Sequence, residues 1–331
     1  MRPTVHTASL GRWVDPTKVW AALCSGREAA FWLDSGAHAT SGMSYLGVAS
    51  SLTTDFGGPV LDWLRAEQFA ADTSAVASGF ALGWVGWLGY ELRGETMGVE
   101  VGRSSRYPDA AWLFVDRCLA FDHARGEVTL LALNDVDAYR AEVEEALASV
   151  VELVETGEPA EISTSLDHRS AEWAYSDAEY IAKIEACQAA IREGDAYQLC
   201  LTTEVRVHAR PDPFATYLAL RQSSPTHHGA LLVAGPVAVL SATPEQFLTV
   251  SPDGVVRTKP IKGTRARGAT PASDAELKLE LESSDKERAE NLMIVDLMRN
   301  DIARVSAVGS VTVTDLMAVE SYAQVHQLVS T

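Results

Sequence analysis

The residues best placed to do chemistry lie in three stretches of the second half of the chain. Lys262 sits in Thr258-Lys259-Pro260-Ile261-Lys262-Gly263-Thr264-Arg265-Ala266-Arg267-Gly268, where proline and glycine flank a lysine. Such flanks fix a tight loop that can present one amine at a defined place, as a nucleophile that attacks carbon requires. Read alone, a basic loop of this kind is far more often a solvated surface turn. Upstream, Ser241-Ala242-Thr243-Pro244-Glu245-Gln246-Phe247-Leu248 carries Glu245 at the start of an apolar run. A glutamate there serves as a general acid if burial keeps it protonated, and otherwise opens a surface strand. Downstream, Glu290 follows Lys286 by four residues, the spacing of a helix-face ion pair. The adjacent His227-His228 pair reads as a polar loop rather than a metal site, because neighbours in an extended segment point apart.

The elements that must position these groups can be read from periodicity. Over residues 29–120, short apolar runs broken by glycine clusters predict strands and turns. Residues 117–133 predict a hairpin turning at Ala124-Arg125-Gly126, and Val136 to Val154 shows helical spacing. Residues 155–170 are polar without periodicity and are the expected linker. Ser176-Asp177-Ala178-Glu179 is a capping box opening a helix through Ile181, Ile184 and Ile191 to Gly194. Apolar runs at 197–207, 229–240 and 247–250 predict antiparallel strands. A second capping box, Ser284-Asp285-Lys286-Glu287, opens a helix to about Val305 with Glu290, Met293, Leu297 and Asp301 near one face. Carboxylates in a stripe that should be buried need partners or a metal. An N-terminal lobe (1–155) and a second lobe (171–331) are expected.

Composition narrows the function classes. With 47% hydrophobic residues over 331 positions, the chain can bury a large core. Its 45 acidic against 27 basic residues give a net charge of −18, which repels nucleic-acid phosphates and anionic membranes. An anionic substrate then needs a local positive centre, such as a buried lysine or a metal ion. Cys24, Cys118, Cys187 and Cys200 have no paired spacing and read as reduced core thiols. The absence of a leader pattern and of a long apolar run makes a cytoplasmic location the expectation.

Taken together and in order, Gly194-Asp195-Ala196-Tyr197-Gln198-Leu199-Cys200-Leu201-Thr202, the Glu245 and Lys262 stretches, and the run from Asp285 to Asp301 resemble the core of the chorismate-utilising enzymes. Phe31-Trp32-Leu33-Asp34-Ser35 and Gly86-Trp87-Leu88-Gly89-Tyr90-Glu91-Leu92 extend the resemblance over nearly the whole chain. It implies an α+β fold, a two-lobed antiparallel β-sandwich flanked by helices like anthranilate synthase component I. The family's p-aminobenzoate-type members carry lysine in the Pro-Ile-x-Gly-Thr loop, where anthranilate synthases typically carry alanine. Lys262 is then implied to attack C2 of chorismate while Glu245 protonates the departing C4 hydroxyl, and ammonia from a glutamine amidotransferase partner replaces the lysine. An amine that attacks carbon must be neutral, which calls for desolvation or a nearby cation. The resemblance assigns Glu290 to Mg2+, and Gln198, Gly263 and Thr264 to substrate binding. Gln198 stands where isochorismate and salicylate synthases carry a lysine that activates water, and glutamine cannot be that base.

Three departures accompany the resemblance. The chain stops within Tyr322-Ala323-Gln324-Val325-His326-Gln327-Leu328-Val329-Ser330-Thr331, before further motifs of the family, so these residues by themselves are expected to lack turnover. Gln327 stands where relatives often have histidine, and His326, one residue earlier, would face the other side of a strand. Some relatives bind tryptophan through a serine like Ser35 and a proline-aromatic segment; here that segment is Pro225-Thr226-His227-His228, without the aromatic.

Overall fold

The computed structural model describes residues 2–76, 79–102, 105–154, 171–322 and 324–331; the expected linker, 155–170, lies outside the described residues. The largest sheet collects β1 (His6–Ser9), β2 (Ala29–Asp34), β3 (Met43–Val48), β7 (Arg117–Asp122), β8 (Glu127–Ala132), β11 (His228–Ala234) and β12 (Val237–Thr243). Their order is β1-β8-β7-β3-β2-β11-β12, with every neighbouring pair antiparallel. Because β11 pairs with β2, this sheet draws strands from both sides of residues 155–170. The apolar run in β2 has no polar alternation because the sheet is covered on both faces. Trp32 packs into a cluster with Trp20, Val143, Leu147 and Tyr217, whereas Phe31 points the other way, into one with Tyr45, Val85 and Leu232.

Helices α1 (Pro16–Val19), α2 (Val60–Ala66), α3 (Arg93–Met97) and α4 (Val136–Val154) belong to the first half. A second sheet, ordered β4-β6-β5, joins β4 (Ser51–Thr53), β5 (Gly83–Leu88) and β6 (Ala110–Val115). The β7–β8 hairpin turns as its sequence dictates: Asp122 Oδ1 accepts from the Ala124 and Arg125 amides, both at 3.0 Å. Beyond residue 170 come α5 (Asp177–Glu193), α6 (Pro213–Ser223), α7 (Pro271–Ser283) and α8 (Asp285–Ala303). Three smaller groups of strands accompany them. They are β9 (Ala171–Trp173) with β10 (Val205–Val207), β13 (Gln246–Val250) with β14 (Val256–Lys259), and a sheet ordered β15-β17-β16. The last comprises β15 (Ile261–Ala266), β16 (Ala318–Ser321) and β17 (Val325–Val329).

A buried ion pair ties α6 to β2. The Asp34 side chain is fully buried, and Arg221, whose side chain is 11% exposed, bonds both its oxygens through the guanidinium and donates to the Gly36 carbonyl at 2.9 Å. Tyr217 donates to the same carboxylate at 3.2 Å, and burial followed by the Asp34 charge pushes its phenol upward. Removing one partner of such a pair strands a charge in the core, so Arg221→Met is expected to cost about 3–5 kcal/mol in urea unfolding. A loss below about 1 kcal/mol would mean that Asp34 finds another partner or water.

Four expectations need correction. Of the predicted strand 197–207, only Val205–Val207 forms one, because among the described residues no strand runs beside 197–204 to take its backbone hydrogen bonds. Helix α8 buries Glu287, Asn291 and Val295, so Glu290, Met293, Leu297 and Asp301 are not its core stripe. Its capping box is half formed: Ser284 Oγ accepts from the Glu287 amide at 3.4 Å, but the Glu287 carboxylate turns to Arg265 instead of back to the cap. Cys24 and Cys118 are buried, and burial pushes both thiols upward, but Cys200 is exposed and is no core thiol.

Candidate functional site

The Glu245 and Lys262 stretches meet through one hydrogen bond. Pro244 ends the ladder of β12, and Glu245 precedes β13, whose partner β14 leads through buried Pro260 into β15. The Ile261 amide donates to Glu245 Oε1 at 3.0 Å, which sets this carboxylate one residue from Lys262. The β15–β17 register shifts between Ile261 and Thr264, so Lys262 and Gly263 form an irregularity in the strand.

Gly263 cannot be replaced cheaply. Its φ is +90°, and a Cβ there would lie 2.9 Å from Leu281 Cδ1 and 3.0 Å from Glu287 Cβ. The Lys262 loop therefore lies against the ends of α7 and α8. Arg265 reinforces this seat by pairing with Glu280 and, at 3.4 Å, with Glu287. Glu290 lies on the turn after Glu287, 37% exposed, with its Lys286 partner a loose 3.9 Å away. Thr264 is exposed and pairs in register with Gln327. Gln198 occupies an exposed irregular stretch between α5 and β10, and no hydrogen bond among the described residues joins it to Lys262 or Glu245.

On β17, His326 and Gln327 face opposite sides, as expected for a strand. His326 is buried, with Nε2 2.9 Å from Asp274 Oδ1 and Nδ1 2.8 Å from Ser321 Oγ, so its role is structural. Asp274 is held well below the usual carboxylate range, first by its bonds from Arg267 and then by the Gly268 amide. Gln327 is buried with its Oε1 unpartnered among the described residues. Asn291, which sequence reading passed over, anchors the end of β17: its Nδ2 donates to the Leu328 carbonyl at 3.1 Å, and Ser330 Oγ donates to its Oδ1 at 2.6 Å.

Ser35 and the Pro225 segment also come together. Ser35 Oγ donates to the Met43 carbonyl at 2.8 Å, and next to it a Cβ on Gly36 would meet the Thr226 carbonyl at 2.9 Å. Beside them, an open cleft of about 860 Å3 is lined by residues that include Leu33, Met43, Tyr45, Phe80 and His228. Burial is the main cause that pushes the His228 imidazole below its ordinary value, followed by His227 and Lys259.

Magnesium habitually takes one or two protein carboxylates and completes its shell with water and substrate oxygens. Glu290, half-exposed and loosely paired, fits that sparing demand as a single ligand. Among the described residues, no three histidine, cysteine, aspartate or glutamate side chains gather into a cage. None of the described helices is long and apolar enough to cross a membrane.

The family described as chorismate binding enzyme matches residues 16–331. An aminodeoxychorismate synthase of Streptomyces pristinaespiralis is 41% identical over 283 residues, covering 83% of this chain and 39% of the relative. Aminodeoxychorismate synthase component 1 of Escherichia coli is 36% identical over 254 residues, covering 76% of this chain and 53% of the relative. The chain thus spans about half or less of the length of these two relatives. The solved anthranilate synthase component I of Streptococcus pneumoniae superposes with a TM-score of 0.66 at 24% identity, covering 98% of this chain and 74% of that one, and so shares the fold. With the family match spanning the Glu245, Lys262 and Glu290 stretches, the chain belongs to the chorismate binding enzyme family.

Proposed function

We propose that this chain is the aminating part of an aminodeoxychorismate synthase, exchanging the C4 hydroxyl of chorismate for nitrogen on the route to p-aminobenzoate and folate in the cytoplasm. A glutamine amidotransferase partner supplies the ammonia. The observation that carries the reading is the 3.0 Å bond from the Ile261 amide to Glu245, which sets this carboxyl beside the lysine loop. Glu245 is exposed without substrate, so the burial that an acid needs must come from the bound substrate. The Nζ lone pair of Lys262 bonds to C2, both ring double bonds shift round the ring, and the C4–O bond breaks. Glu245 gives the departing oxygen its proton, and water leaves. Ammonia then bonds to C4, both ring double bonds shift back and the C2–N bond to Lys262 breaks. The surplus proton on the new amine returns to Glu245. Two displacements place nitrogen para to the ring carboxylate, where a single attack at C2 would place it ortho. Gln198, Gly263 and Thr264 serve as substrate contacts in this reading.

Product analysis tests the assignment: the protein encoded by the complete gene, given chorismate and ammonium, should form 4-amino-4-deoxychorismate, which a downstream lyase converts to p-aminobenzoate. Anthranilate as the main product would assign the chain to the ortho-aminating branch instead. Glu290 would hold magnesium, which when bound supplies positive charge to the substrate's ring carboxylate. Glu290→Gln keeps the shape and removes the charge, so magnesium-dependent chorismate binding should weaken at least about tenfold while stability changes by about 0.5 kcal/mol or less. Calorimetric titration with and without magnesium reads the first effect and urea unfolding the second. Unaltered magnesium dependence would leave Glu290 as the partner of Lys286 alone.

A further inference from the structure

The hairpin that carries Glu245 is poorly fixed by packing. It has two strands with a register shift, and Phe247, Leu248 and Val250 are 74%, 44% and 66% exposed. An isolated two-stranded hairpin is marginal, so the core does not dictate where Glu245 stands relative to Lys262. Apart from chain continuity, three bonds among the described residues tie this region to the β15-β17-β16 sheet. One is the Ile261 amide to Glu245. The second is the Ser330 amide to the Pro260 carbonyl at 3.2 Å, and the third is Lys259 Nζ to Glu320 Oε1 at 2.7 Å. Lys259 is the register partner of Gln246, the residue after Glu245, and Glu320 on β16 is the register partner of Gln327 on β17. The other oxygen of Glu320 accepts from the Tyr322 hydroxyl, and the Tyr322 ring rests 4.6 Å from that of His227, at the entrance to β11. These side chains wall a recess of about 210 Å3 that Ile261 and Val329 also line.

We infer that Lys259 and Glu320 are positioning residues, a clamp that holds the Glu245 hairpin in register with the Lys262 strand. The inference rests on the reading of Glu245 and Lys262 as acid and nucleophile. Side chains about a third exposed form a pair that contributes little to stability, so its effect falls on geometry. Tyr322 orients the carboxylate from its other side, which leaves Lys259 a single direction in which to reach.

The test uses Lys259→Met, Glu320→Gln and Lys259→Arg in the protein encoded by the complete gene, with chorismate and ammonium as substrates. A misplacement near 1 Å is enough to cost about 100-fold, so kcat for C4 amination should fall about 10- to 100-fold in the first two variants while KM for chorismate stays within about twofold. Lys259→Arg, which keeps the charge, should retain most of kcat. Hydrogen exchange supplies a readout independent of turnover: the Ile261 amide should exchange about tenfold faster in Lys259→Met and Glu320→Gln, with the Asn291 region of α8 unchanged. Wild-type exchange at Ile261, or loss of protection spread equally over α8, would overturn the clamp. If the wild-type protein aminates no chorismate, the functional reading falls, and Ile261 exchange alone decides whether the clamp exists.

Discussion

Lys262→Ala is expected to abolish nitrogen transfer to C4 of chorismate, because the first displacement needs an amine that bonds to C2 and no other side chain is assigned to that step. Activated nucleophiles and bases of this kind carry factors of about 10²–10⁴ or more, so residual C4 amination should lie at the limit of detection. Alanine recreates the loop typical of anthranilate synthases, and any product that remains should carry nitrogen ortho to the carboxylate. Lys262→Arg should fail as completely, since a guanidinium stays protonated and cannot attack carbon. The two variants together separate loss of charge from loss of a nucleophile. Chromatography of the products with ammonium as the nitrogen source reads both. Near-normal C4 amination by Lys262→Ala would remove the covalent mechanism.

Glu245→Gln is expected to lower kcat for C4 amination by about 10²–10⁴-fold, the range for losing one general acid. The amide oxygen of glutamine can still accept from the Ile261 amide, so the contact that fixes the hairpin survives while the transferable proton does not. KM for chorismate should move little, which is the signature of an interaction used in the transition state. A Glu245→Gln enzyme with unchanged kcat would return Glu245 to the role of a residue that opens a strand.

Much of the fold was legible because its signals are local. Helix α4 spans Val136–Val154 as its periodicity predicts, Ser176 and Glu179 form the full capping box at the start of α5, and the β7–β8 hairpin turns at Ala124-Arg125-Gly126. Where partners decide, the sequence was a poorer guide. The run 197–207 has strand composition but a short neighbour, β9, beside only its last three residues. In α8 the helical spacing is real, but its inward face was misassigned, because Glu287 is drawn in by Arg265 and Asn291 by the end of β17. Both partners lie more than twenty residues away and leave no local mark.

The candidate site divides in the same way. Glu245 and Lys262 stood out through their flanking prolines and glycine and through the family resemblance, and the Ile261 amide joins their two stretches in space. The need for glycine at 263 becomes visible only when α7 and α8 are seen behind the loop. Lys259 and Glu320 are separated by 61 residues, and no spacing rule connects them. The β2–β11 pairing likewise joins apolar runs about 200 residues apart, where either strand alone would accept any apolar neighbour.

The central claim is that Lys262 becomes covalently attached to the substrate, and mass spectrometry of the peptide containing it tests this most directly. The protein encoded by the complete gene is incubated with chorismate and magnesium but without ammonia, quenched with acid and digested. The account predicts that this peptide gains the mass of chorismate less one water, that the gain is absent from Lys262→Ala, and that adding ammonium before the quench removes it. An unmodified Lys262 peptide from an enzyme that turns over normally once ammonium is supplied would contradict it.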